Sequence, residues 1–157
     1  MGAAPPQHER RELNESDEAG RRAPPRLPER RLLQAVVAIG CLVPIAAGGV
    51  GIVRGAAFLK GVHGPLPIDL DSHFRYLSGL LVGIGIGFAA CVPGIERRGP
   101  LIRTLGLIVI VGGLGRLSSL LRDGPPSAAH LAALAMELIA TPILLLWQAR
   151  VARLART

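Results

Sequence analysis

Four long apolar runs, set apart by short polar segments, constrain this chain more than any other feature. They cover about residues 32–53, 74–92, 101–121 and 128–147. A hydrocarbon core about 30 Å thick needs about 20 helical residues to cross it. Within that core every backbone polar group must be satisfied internally, which favours helices. The expected fold is therefore all-α: a four-transmembrane-helix bundle. The first run is interrupted only by Gln34 and closed by Arg54. It is read as a span and not a signal peptide, because a long charged segment precedes it and no Ala-x-Ala site closes it.

Charge placement agrees with this reading. Charged residues make up 18% of the chain, against roughly 25% in soluble domains, and they sit mainly between the runs. Aromatic residues are only 3%, so these helices must pack without large rings as spacers. Residues 1–31 hold Pro5, Pro6, Pro24, Pro25 and Pro28 among mixed charges. That segment cannot bury enough apolar surface to offset its ordering entropy and is expected to be a disordered, basic tail. Arg21, Arg22, Arg26, Arg30 and Arg31 would then lie beside the membrane, where each arginine gains about 1 kcal/mol from anionic headgroups. Residues 32–150 form the expected membrane domain, and 151–157 a basic end.

The arginines also predict a topology. Segment 21–31, loop 93–100 and the end after Trp147 are basic, whereas loops 54–73 and 122–127 are near balance. The positive-inside rule puts both termini and loop 93–100 in the cytoplasm, in a cell inner membrane, with Trp147 at the interface. The net charge of +7 is explained by these flanking arginines. No basic face interleaved with aromatics is present, so nucleic acid is not an expected partner. The expected partner is the bilayer, with its anionic headgroups. Cys41 and Cys91 fall in or at the edge of apolar runs, without a CxxC or a Cys/His spacing. Free buried thiols are expected, with no metal and no cofactor.

Several residues stand out against the apolar background. Gly79, Gly83 and Gly87 recur every four residues and suggest a smooth face for close helix approach, within the chain or in a homo-oligomer. Glu137 lies midway along the fourth run. A carboxylate there costs about 2.5–3.5 kcal/mol on insertion scales and calls for a partner. Arg116 is the candidate. Counting turns from the outer helix ends leaves an offset on the order of 6 Å, within the reach of an arginine side chain. His130 precedes Glu137 by seven residues and shares its face. Asp71, His73 and Arg75 sit at the outer mouth of the second run. All six would occupy the outer half of the bundle. Pro142, five residues after Glu137, removes a backbone hydrogen bond and kinks the helix, with Thr141 placed to cap the freed carbonyls.

A resemblance joins these segments. Asp71-Ser72-His73-Phe74-Arg75-Tyr76-Leu77-Ser78-Gly79, Ile95-Glu96-Arg97-Arg98 and Gly112-Gly113-Leu114-Gly115-Arg116-Leu117-Ser118-Ser119, with Glu137 and Pro142, resemble the domain of unknown function 4345 family of small bacterial membrane proteins. The resemblance covers about residues 32 to 150. It implies a four-helix membrane architecture and no activity, so no catalytic residue is carried over.

Three readings of function stay open. The polar cluster binds or moves a small solute or a lipid headgroup. Alternatively, the protein is a structural or accessory membrane subunit whose Arg116–Glu137 pair only sets helix packing. A third reading is a membrane enzyme acting on lipid or quinone. For that one the sequence offers no nucleophile–base–orienter set and no metal motif.

Overall fold

The computed structural model describes residues 7–8, 27–59 and 65–156. Most of the tail expected to be disordered lies outside them, as do Lys60 and His63. Four helices are long and apolar enough to cross a membrane: α1 (Pro28–Arg54), α2 (Ile68–Cys91), α3 (Gly99–Asp123) and α4 (Ala128–Leu154). No strand occurs among the described residues.

Local chemistry sets where each helix begins and bends. α1 is interrupted at Cys41. Pro44 has no N–H to offer the carbonyl of Gly40, so the turn between them loses a hydrogen bond. Flanking bonds hold the two halves together, Cys41 N–H to Val37 O at 2.9 Å and Ile45 N–H to Cys41 O at 3.3 Å. α2 starts at Ile68 and not at the apolar residue 74, because Pro67 precedes it and Asp69 and Asp71 occupy its first turn. Carboxylates there complement the positive end of the helix dipole. Asp71, His73 and Arg75 are therefore helical, where the sequence reading placed Asp71 and His73 in a loop. Pro100 opens α3 within its first turn, where its missing N–H costs nothing. Gly124, with φ +91°, ends α3 in a conformation that disfavours any side chain.

α4 is α-helical over Ala128–Ala135, widens into a π turn over Met136–Ala140, and resumes over Thr141–Leu154. The cause is Pro142, which cannot donate to Leu138. The Thr141 N–H instead reaches back to Met136 O, and the Thr141 hydroxyl donates to the same carbonyl at 2.9 Å.

The second half of α1 packs closely on α2. Gly48 and Gly51 there let the backbones approach, since a Cβ on Gly48 would stand 2.6 Å from Ser78 O. α3 packs on α4 along Gly99, Gly106 and Gly113, seven residues apart and so on one face. These face Gln148, Leu145 and Glu137–Leu138 in turn. Of the three α2 glycines expected to form one face, Gly87 meets Leu105 of α3, while a Cβ on Gly79 or Gly83 would meet nothing within 4 Å. Residues spaced by four drift about 40° per step around a helix. The neighbour that reaches Gly87 is thus turned away from Gly79.

The buried core gathers at the arginine-rich end. Leu33, Val37 and Cys41 of α1 meet Phe88, Cys91, Ile95, Ile102 and Val151 there. Both cysteines are free and buried. Ile95, in the α2–α3 loop, is fully buried, and polar side chains tie its loop down. Gln34 Nε2 donates to Val92 O at 2.8 Å, and the buried Gln148 Nε2 donates to Ile95 O at 3.0 Å. Arg30 Nε lies 3.1 Å from Glu96 Oε2. The other end is looser. Among the described residues, the second half of α1 packs on α2 but on neither α3 nor α4, and the first half of α4 packs on α3 alone. α1 and α4 therefore meet only at the arginine-rich end.

Candidate functional site

The polar centre of the bundle is built from two short stretches. On α3, Gly113 carries no side chain where α4 comes close. A Cβ there would stand 2.8 Å from both Glu137 Cβ and Leu138 Cδ2. Arg116 follows one turn later on the same face. On α4, the π turn places Glu137 opposite. The result is a two-pronged ion pair: Arg116 Nε donates to Glu137 Oε2 at 3.0 Å and Nη2 donates to Oε1 at 3.1 Å. This planar fork-to-fork geometry is the strong, charge-assisted form of the contact.

The pair is only partly enclosed, with side-chain exposures of 32% for Arg116 and 19% for Glu137. Its guanidinium is not fully used, since Nη1 has no hydrogen-bond acceptor among the described residues. In lipid an unspent donor on a charged group seeks water or an acceptor. The π turn matters for the same reason. Such bulges cluster at functional positions because they re-aim a side chain at the expense of regular hydrogen bonding.

The remaining polar residues form two separate local structures. Asp71 and Arg75 pair within α2 at 2.7 Å and close over the end of α1. Asp71 Oδ1 accepts the Ala56 N–H at 2.8 Å. Arg75 Nη1 donates to the carbonyls of Ile52 and Val53, which are among the last in α1 and lack helical partners. Gly55, with φ +65°, makes the turn beneath them. This is a C-terminal cap of α1 held by α2. His73 lies beside Tyr76, with ring centroids 6.4 Å apart. His130 Nδ1 is 2.8 Å from the Ser127 hydroxyl at the start of α4. Among the described residues no third group orients that histidine, and it neither hydrogen-bonds nor ion-pairs with Glu137. A serine–histidine contact at this spacing closes the first turn of a helix without forming a nucleophile–base–orienter set.

Thus the six residues singled out from the sequence resolve into a cap (Asp71, Arg75), an α2 surface histidine (His73), a helix-start contact (His130) and the central Arg116–Glu137 pair. Sequence reasoning missed Gln34 and Gln148, the two amides that fasten the α2–α3 loop. For Gln34 a lone amide inside an apolar run was the available signal, whereas Gln148 sits just past the end of its run and gave none. No group of three or more His, Cys, Asp or Glu able to hold a metal occurs among the described residues.

An all-helical chain with four membrane-length helices and charge concentrated between them defines a multi-pass membrane protein. The chain belongs to the family "Domain of unknown function (DUF4345)", whose model matches residues 32–148. That match runs from the first turns of α1 to Gln148 and includes every element of the central pair. No curated protein and no solved structure matches the chain.

Proposed function

We propose that this domain binds a small solute or a lipid headgroup at the Arg116–Glu137 pair, reached from the extracytoplasmic side. The topology behind this reading has both termini and the α2–α3 loop in the cytoplasm, as the positive-inside rule asks of the basic segments. The pair then lies in the outward half of the bundle, the half in which α1 does not pack against α4.

One observation carries the reading: a guanidinium about one-third exposed, held in place by its carboxylate, keeps Nη1 without an acceptor among the described residues. Such a group recognises an acceptor oxygen, and a carboxylate or phosphate above all. The carboxylate beside it fixes the arginine and lowers the local charge, which favours weak, reversible binding over permanent occupancy. A second reading has a specific support too. Gly113, Thr141 and the two-pronged contact all serve the pair's geometry, as they would if it only specified how α3 packs on α4.

Thiol labelling separates the two. Cys41 and Cys91 are replaced by alanine, and single cysteines are placed at positions 73, 116, 130 and 137, with one at 125 as the external control. Intact cells are treated with a membrane-impermeant reagent. Reaction at 116 and 137 from outside supports a water-accessible binding site. Labelling of the control with silence at both positions sinks it and leaves the packing reading.

A further inference from the structure

At the end of the bundle opposite the Arg116–Glu137 pair, a groove lies between the start of α1 and the end of α4. It is wide open, about 690 Å³ in volume, and lined by Pro28, Glu29 and Leu32 of α1 and by Ile143, Leu146, Trp147 and Arg150 of α4. Its chemistry is graded along its length. Leu32, Ile143 and Leu146 are exposed apolar side chains, and Trp147 and Arg150 follow within about 10 Å along the helix axis. A tryptophan followed by an arginine is what a helix presents where hydrocarbon gives way to headgroups. The groove therefore runs from acyl-chain depth to phosphate depth.

The charge at its rim has a sign. Arg150 Nε lies 3.4 Å from Glu29 Oε1, with the arginine side chain 65% exposed. Its Nη nitrogens have no acceptor among the described residues. The other carboxylate at this end, Glu96, is engaged with Arg30. Arg31, Arg98 and Arg153 make no ion pair among the described residues. Among the described residues the acidic groups at this end are thus matched, and positive charge is in excess. Within the groove Glu29 and Arg150 balance each other, so an anionic headgroup is drawn by the unpaired arginines around the rim and by the Nη donors of Arg150.

We infer that this groove holds one anionic phospholipid of the adjacent leaflet, with an acyl chain over Leu32, Ile143 and Leu146 and its phosphate on Arg150. The site is independent of the Arg116–Glu137 pair and stands or falls separately from it. Because it bridges the first turn of α1 and the last turns of α4, a lipid seated there clamps the one place where those two helices meet.

The test is native mass spectrometry of the full chain in detergent, titrated with phosphatidylglycerol and phosphatidylcholine of matched chains. The wild type is expected to retain one phosphatidylglycerol in preference to phosphatidylcholine. Arg150→Gln should cut that preference about five-fold. Leu32→Trp, which fills the apolar floor, should abolish retention of both lipids. Val111→Trp, on an exposed face of α3, should leave retention unchanged. Equal retention of the two lipids by the wild type overturns the inference. So does a Leu32→Trp protein that binds as the Val111→Trp control does. Where Leu32→Trp does not fold, Leu146→Trp puts the same bulk in the groove from α4 and is read in the same way.

Discussion

The α-carbon of Gly113 faces Glu137 so closely that a methyl group there would stand 2.8 Å from the glutamate Cβ. The contact lies one turn from Arg116, so helix approach and ion pairing are parts of one arrangement. Gly113→Ala must push α4 away or distort the π turn, and overpacking of this kind costs about 1–3 kcal/mol. Gly112→Ala places its methyl in open space and should be close to neutral. Melting of the two variants in the same detergent checks the contrast. Equal melting temperatures would show that the close approach is dispensable.

Removing one partner of the pair leaves the other charge without its match. Arg116→Leu and Glu137→Leu are each expected to destabilise by about 2 kcal/mol, since hydrogen bonds to charged groups are worth roughly 1.5–3 kcal/mol and partial exposure softens the loss. The double variant should recover a large share of the sum, because two apolar side chains leave nothing unpaired. A double-mutant cycle by reversible unfolding measures this. Additive losses would mean that the two residues are not coupled.

The π turn inserts one extra residue, so regularising it rotates one side of α4 against the other by about 100°. Thr141→Val removes the hydroxyl that donates to Met136 O, and Pro142→Ala restores a donor for Leu138. Together they should return the segment to α-helix and carry Glu137 away from Arg116. The expected result is that the coupling energy between Arg116 and Glu137 collapses in this background. An unchanged coupling energy would show that the proline and threonine do not aim the glutamate.

Gln148 is 1% exposed and its amide satisfies the carbonyl of Ile95. Gln148→Leu keeps the volume but leaves that buried carbonyl unmatched, at a cost of about 1–3 kcal/mol. Limited proteolysis should then cut the α2–α3 loop faster at Arg97 and Arg98. Unaltered cleavage would mean that Ile95, Gln34 and the Arg30–Glu96 contact hold the loop without Gln148.

Capping of α1 gives a directional expectation. Asp71→Leu deprives the Ala56 N–H of its acceptor and frees Arg75 from its partner. Amide hydrogen exchange over residues 52–56 should speed up, while exchange in α3 stays the same. Protection of 52–56 at the wild-type level would remove the cap from the account.

Much of this molecule is local and so was legible before any tertiary contact was known. The number of membrane helices follows from apolar run length, because lipid demands about 20 residues per span and tolerates no unsatisfied backbone. The reach of Arg116 to Glu137 is a matter of counting turns on adjacent antiparallel helices. The break near Pro142 follows from a missing N–H, whereas the Thr141 hydroxyl was expected on a freed carbonyl and instead joins its own N–H at Met136 O. The family was carried by residues 71–79, 95–98 and 112–119 read together.

Azimuth was not legible, because the direction from which a neighbour approaches is a property of the whole bundle. Only the tertiary structure decided that Gly99, Gly106 and Gly113 bring α3 onto α4 while Gly79 and Gly83 look outward. It alone turned Asp71 and Arg75 toward the end of α1 and left His130 with Ser127. It also drew Ile95 and Gln148 into a core at one end while α1 and α4 part at the other. A sequence records which side chains a helix offers on each face. Packing decides which of those faces meet, since that depends on helix crossings that no single segment encodes.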